Sequence, residues 1–207
     1  MIDSKIRKNY DNWCVMRMAY LRLMRESAVK DRILDTASRL FYDQGYHVTG
    51  INQIIEEADI ARASLYNHFT SKSELLLAYL DRTHEEWFRE LDGYLAPLTA
   101  PREKLLALFD FRIQRQRKLK YKGCHFNKIT AETGEDEEVA RRVRVHKERF
   151  RQYILELVRQ TDHRIGIDDE TLADTLFLLL EGGIAVGAMF RSSEHAEKAR
   201  AIAGALL

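Results

Sequence analysis

Only two prolines, Pro97 and Pro101, and ten glycines interrupt 207 residues. A chain with so few backbone breakers, rich in Leu, Ala, Arg, Glu and Lys, favours helices over the recurrent turns that a sheet protein needs. The expectation is therefore an all-α protein. At 45% hydrophobic residues the chain is long enough to bury a core, either as one large helical domain or as a small head on a larger body.

Helical spacing recurs along most of the length. Ile33, Leu34, Ala37, Leu40 and Phe41 form one stripe, and Gly45 follows where a helix end favours positive φ. Thr49 is placed to cap the next helix, whose stripe is Ile51, Ile54, Ile55 and Ala58. Asp59, Ile60 and Ala61 make a tight turn into a third helix. There Leu65 and Phe69 point inward while Arg62, Ala63, Ser64, Tyr66, Asn67 and His68 point mainly outward. Ser71 and Glu74 form a capping box for a long fourth helix with the stripe Leu76, Tyr79, Leu80, Thr83, Trp87 and Leu91. Pro101 opens the next helix, which runs towards Lys120 before Gly123 breaks it. A short helix over 124–133, a long one over 136–161, one capped by Asp168 and a last one from about Ser193 complete the reading.

The net charge of +1 gives no general attraction to polyanions, so nucleic-acid contact has to come from a local surface. Residues 1–26 hold six Lys or Arg against three acids and 101–122 hold eight against two, while 135–138 are all acidic. Such runs read as solvated helix faces, with a phosphate-binding arm as the alternative for 1–26. Cys14 and Cys124 form no CxxC pair or disulfide framework, which suits a reducing cytosol. The apolar run 176–190 is too short to span a bilayer and is interrupted by Glu181, so a membrane partner is not expected. The seven dispersed histidines give no metal cluster, and no cofactor motif stands out.

The segment Leu65-Tyr66-Asn67-His68-Phe69-Thr70-Ser71-Lys72-Ser73-Glu74-Leu75-Leu76, with Ile33 to Ala37, Leu40-Phe41 and Gly45-Tyr46 before it, resembles the head of the TetR family of bacterial transcriptional regulators. The resemblance covers about a quarter of the chain. It implies a homodimer whose two helix-turn-helix heads enter successive major grooves of operator DNA, with Thr49, Tyr66 and Lys72 on phosphates and the start of the third helix on base edges. The chemistry of the residues agrees: Arg62 can fork onto guanine, Ser64 can donate or accept, Asn67 can read adenine, and Ala63 can touch a thymine methyl. His68 and Tyr66 fit equally well as staples between the third and fourth helices. Two positions depart from the family pattern, Asp59 where glycine is general and Ala61 where a hydroxyl residue caps the recognition helix. The missing cap costs about 0.5–2 kcal/mol locally.

The resulting expectation is a three-helix head over 27–72, after an N-terminal extension over 1–26, and a ligand-binding and dimerisation body over 73–207. A translation start at Met24 is the alternative account of the extension. The dimer interface is expected at Leu176, Leu179, Leu180, Gly183, Ile184 and Gly187, where small residues allow close helix approach. An apolar effector cavity is expected among Trp87, Phe88, Phe109, Ile113, Cys124, Phe126 and Phe150. Cys124 beside His125 could sense oxidants, or both could be ordinary packing; no oriented third group supports an enzyme. The functional expectation is a non-enzymatic repressor released from its operator by a small molecule, against the alternative of an architectural or adaptor protein without an effector.

Overall fold

The computed structural model describes residues 24, 26–163 and 166–207. The expectations for an N-terminal arm and for Cys14 fall outside these residues. Every regular element among the described residues is a helix. The first, α1, covers 26–43; it is followed by α2 (Ile51–Glu57), α3 (Arg62–His68), α4 (Lys72–Leu95), α5 (Pro101–Lys118), α6 (His125–Thr133), α7 (Glu137–Val158), α8 (Asp169–Phe190) and α9 (Glu194–Leu206). The described residues divide into two compact units, the first ending at Tyr79 and the second beginning at Leu80, with the boundary inside α4.

In the first unit, α1 ends at a turn in which Gly45 takes φ 103°, a conformation a side chain would resist. The core is the set of stripes legible in the sequence: Ile33, Ala37, Phe41, Ile54, Leu65, Leu76 and Tyr79 are each at most 1% exposed. The Phe41 ring meets Tyr46 and Tyr79 edge-on at 5.3 and 5.8 Å. The N-cap of α2 is Gly50 rather than Thr49, and no side chain caps it. Thr49 is fully buried, its hydroxyl donating to the Gly45 carbonyl at 2.7 Å and accepting from Gln44 at 3.2 Å, so it ties the turn to the end of α1. The capping box at α4 is shifted by one residue on its return arm. Glu74 N–H donates to the Ser71 hydroxyl at 3.0 Å, but the Glu74 carboxylate reaches the backbone and side chain of Thr70.

In the second unit α5 packs on α7, α8 and α9, α6 on α7, and α8 on both α7 and α9. Pro101 begins α5 as expected. The helix stops at Lys118, before Gly123, because Lys120 and Tyr121 both adopt positive φ and their N–H groups close the end onto Arg117 and Gln116 carbonyls. The acidic run becomes the start of α7: Asp136 accepts from the N–H groups of Glu138 and Val139, and Glu137 and Glu138 lie in the first turn, where carboxylates oppose the positive end of the helix dipole. Asp168 caps α8 through the Thr171 N–H.

Among the described residues α8 is the one helix long and apolar enough to cross a membrane. Here it is a core helix, with Leu172, Ala173, Leu176, Leu180, Gly183, Ile184 and Gly187 buried in the body. A Cβ on Gly183 would stand 3.0 Å from the Ala196 Cα and 3.3 Å from the Ala199 Cβ, so the absence of a side chain sets how closely α8 and α9 approach. Gly183→Val is expected to lower the unfolding free energy by about 1–3 kcal/mol. Gly93→Ala, in α4 where a Cβ meets nothing within 4 Å, should instead raise it by about 0.5–1 kcal/mol. Urea denaturation of the two variants beside the parent checks both signs.

Candidate functional site

α3 is only seven residues long, and its position depends on two anchors, Leu65 at 0% and Phe69 at 2% exposure. The turn before it closes the end of α2 with Asp59 at φ 49°: Asp59 N–H donates to Glu56 O and Ile60 N–H to Ile55 O. Asp thus occupies the left-handed position that glycine fills at lowest cost, an arrangement short polar residues tolerate best. Ala61 is the N-cap and supplies no side-chain bond, so the first N–H groups of α3 point outward without that satisfaction.

With Leu65 and Phe69 inward, α3 exposes Arg62, Ala63, Tyr66 and Asn67, and leaves Ser64 and His68 half-buried. Tyr66 is 45% exposed, more than a purely structural staple requires. Lys72 lies 4.3 Å from the centre of the Tyr46 ring and 3.5 Å from the His47 carbonyl, and is half-buried with its ammonium near the surface turn. Six of the eight residues expected at DNA therefore share α3, and Lys72 opens the next helix. Thr49 is the exception: buried, with its hydroxyl engaged on both sides, it supports the turn and has no surface from which to meet a phosphate.

The sequence reading missed the polar residues that brace this surface. The Arg62 guanidinium donates to Asn52 Oδ1 at 2.6 Å across the turn from α2 to α3. Gln44 donates to Gln53 at 2.8 Å, Gln53 to Glu57 at 2.9 Å, and Glu57 also pairs with Arg39. Arg39 and Gln53 hold the Glu57 carboxyl below the ordinary carboxylate range. The signal available was the run of polar residues on the face of α2 opposite its isoleucines.

In the second unit, three of the seven expected ligand residues, Trp87, Cys124 and Phe126, line a cavity of about 30 Å³. The other four are corrected: Phe88, Phe109 and Phe150 belong to the hydrophobic core and Ile113 packs with Ile184 and Ala196. The cavity is also far more polar than expected. Arg112, Gln116 and His146 line it at 6%, 4% and 2% exposure. Beside it Glu181, on α8, accepts from Arg112 at 3.2 Å, Lys147 at 2.5 Å and Asn127 at 3.4 Å. Burial raises the Glu181 carboxyl pKa, but the two cations and the hydrogen bonds outweigh it and hold the group below its usual range. Lys147 also points at the Cys124 sulfur at 3.6 Å. Arg112 Nε and Gln116 Oε1 are buried without a partner, a situation that costs about 1–3 kcal/mol for each group. His146 stacks on Phe126 at 3.8 Å between centroids, and burial, helped by Lys147, His84, Arg112 and Arg149, pulls its pKa down to about 2, so the ring is neutral.

The residues expected at a dimer interface divide differently from the expectation. Leu176, Leu180, Gly183, Ile184 and Gly187 are buried within the one chain and Leu179 is half-buried; a Cβ on Gly187 would collide with Gln116 and the Ser192 carbonyl. The exposed apolar side of α8 is the opposite one, with Leu178 at 67% and Met189 at 78%; Phe190, the last residue of α8, and Ile202 of α9 are also exposed. A helix that is apolar all round gives no sign in the sequence of which side faces inward.

An all-helical chain whose short third helix carries an outward row of Arg, Tyr and Asn, rigidly anchored and preceded by a tight turn, defines a helix-turn-helix DNA-binding protein. Residues 33–79 match the model of the family described as bacterial regulatory proteins, tetR family. This segment is thus the DNA-binding head of the TetR family of transcriptional regulators, a family that is not enzymatic. Rv1255c of Mycobacterium tuberculosis, an uncharacterized HTH-type transcriptional regulator, is 37% identical over 87 residues, 42% of this chain and 43% of that protein. The HTH-type transcriptional activator FasR of Mycolicibacterium smegmatis is 36% identical over 86 residues, 40% of this chain and 39% of FasR. The match thus spans less than half of either relative. SCO4454, a TetR-family transcriptional regulator from Streptomyces coelicolor, superposes with a TM-score of 0.74 at 28% identity, over 86% of this chain and 97% of that structure.

Two outcomes are expected. On a duplex selected from random DNA, Lys72→Ala should weaken binding to all sequences alike and reduce the salt slope by about one. Arg62→Ala should flatten the preference at one base position by about 1–3 kcal/mol. Fluorescence anisotropy on single-base variants separates the two patterns. The second concerns acid. The folded pKa of His146 lies below its ordinary 6.5, so below that pH the unfolded chain binds a proton that the folded chain refuses. Stability from this group is complete above pH 6.5 and falls by about 1.4 kcal/mol per pH unit on acidification. His84, lowered mainly by burial, acts in the same direction. Urea midpoints between pH 7 and about pH 5 should fall less steeply in His146→Gln than in the parent.

Proposed function

We propose that the chain is a homodimeric repressor that holds operator DNA through two copies of α3 and releases it when a small molecule enters the body. The single observation that carries the reading is the division of labour on α3, where Leu65 and Phe69 fix the helix while Arg62, Ala63, Tyr66 and Asn67 stand outside. A structural hairpin has no need of that outward set. Tyr66 and Lys72 supply phosphate contacts that position the head, and Arg62, Ser64 and Asn67 supply base contacts that specify sequence.

Dimerisation is assigned to the exposed side of α8 and α9. Leu178 and Met189 of α8, with Ile202 of α9, are assigned to an apolar face that a second copy covers by the same residues, the arrangement of an isologous two-fold interface. The effector reading rests on the polar cavity beside Trp87 and Phe126. A ligand acts by binding better to a conformation whose heads no longer match the operator, and its effect is limited to that difference in affinity. α4, continuous from Lys72 to Leu95, is the lever assigned to the coupling. A regulator of this kind works in the cytoplasm with the chromosome. FasR is an activator, which supports a second reading, in which the same complex recruits transcription rather than blocking it.

Purified chain is expected to sediment as a dimer and to prefer a selected duplex over competitor DNA by at least a hundredfold, with Leu178→Glu weakening both properties together. Equal binding to selected and random duplexes would instead identify an architectural protein. A reporter driven from a promoter carrying the selected site distinguishes repression from activation by the sign of its response.

A further inference from the structure

The body cavity has a donor and an acceptor waiting on the same side of one helix. Arg112 and Gln116 are one turn apart on α5, so their side chains are neighbours. Arg112 gives a terminal nitrogen to Glu181 and keeps its Nε–H unpaired. Gln116 gives its amide nitrogen to the Ile184 carbonyl at 3.0 Å and keeps Oε1 unpaired. Both side chains are more than nine-tenths buried and both line the cavity.

The charge around them is not balanced. Arg112 and Lys147 share the single carboxylate of Glu181, Arg115 at the same cavity is already paired with Glu90, and His146 is neutral. One positive charge in excess within a largely buried site favours an anion. The apolar walls are flat: Trp87 on one side, with the Arg112 guanidinium 5.8 Å from its ring centre, and Phe126 stacked on His146. Planar walls suit a planar ring, and a guanidinium suits a carboxylate. At about 30 Å³ the cavity holds water rather than an organic molecule, so entry requires a side chain to yield. The half-buried lining residues Leu119, Cys124 and His125 are the ones to yield, while Glu181, beside the cavity, keeps Lys147 and Asn127 when it gives up Arg112 to the ligand.

Resting on the reading of the body as an effector domain, we propose that this cavity takes a small aromatic carboxylate that also bears a hydroxyl group. The carboxylate accepts from Arg112, including its unpaired Nε–H, and the hydroxyl donates to Gln116 Oε1. Binding exchanges the Arg112–Glu181 link between α5 and α8 for a link between α5 and the ligand. That places the regulatory event on the helix whose opposite side is assigned to the dimer.

The test uses the full-length chain, with the three hydroxybenzoates, unsubstituted benzoate, the matching hydroxybenzamides and the cation tyramine as probes in calorimetry. At least one hydroxybenzoate is expected to bind one per chain, tenfold or more tighter than its amide, with benzoate intermediate. Gln116→Met should abolish the advantage of hydroxybenzoate over benzoate while keeping that of acid over amide. Arg112→Lys should reduce the preference for the acid; if it does not fold, the acid and amide series on the parent and on Gln116→Met still decides. Equal binding of acid and amide, no acid binding at millimolar concentration, or a crystal soaked in the acid showing only water between Nε and Oε1 would overturn the proposal. A parallel screen on the DNA complex keeps the two levels apart. Release by cations or neutral compounds alone would sink the aromatic acid and leave the effector reading standing, whereas release by no compound would remove both.

Discussion

The body depends on one carboxylate. Glu181 stands in the middle of α8, the most apolar helix of the chain, and is met there by Arg112 from α5, Lys147 from α7 and Asn127 from α6. Four helices thus converge on two oxygen atoms. The arrangement adds little net stability over an apolar filling of equal volume, because desolvating three charges consumes most of the attraction. What it supplies is register: leucines tolerate sliding and rotation of α8, whereas a carboxylate with three directional partners does not.

The head is organised by the opposite principle. Its core is almost wholly apolar, and its polar bonds run along the surface from Gln44 through Gln53 and Glu57 to Arg39. Thr49 is the one buried polar side chain described there, and it serves the turn after α1. A rigid apolar base lets a helix of seven residues hold its outward side chains in a defined row, although such a helix is marginal alone.

Most of this fold was legible where a helix has two unlike faces. The stripe from Leu76 to Leu91, the inward pair Leu65 and Phe69, and the caps Asp136 and Asp168 each follow from local spacing and chemistry. Legibility failed where the pattern was uniform or where burial overrode residue type. α8 is apolar on every side, so its inner and outer faces were exchanged. Arg112 lies in a stretch of eight basic residues, and only tertiary packing singles it out to be buried against Glu181. Thr49 looked like a cap and a phosphate donor because its type suits both, but the turn after Gly45 drew it inward. The aromatics were rightly placed in the body, and only Trp87 and Phe126 among them reach the cavity, since proximity along a helix does not say which rings meet empty space.

Under the proposed reading of α3 as the base-contacting helix, the bond between Arg62 and Asn52 has a kinetic consequence. A guanidinium already seated on a neighbour must be traded, not merely offered, when the head meets a duplex. At a site lacking guanine the trade brings no gain, so the side chain stays parked and the head rests on phosphates alone, free to slide. At the right base the exchange locks. In that reading the searching and the committed forms of the same surface differ by the swing of one arginine.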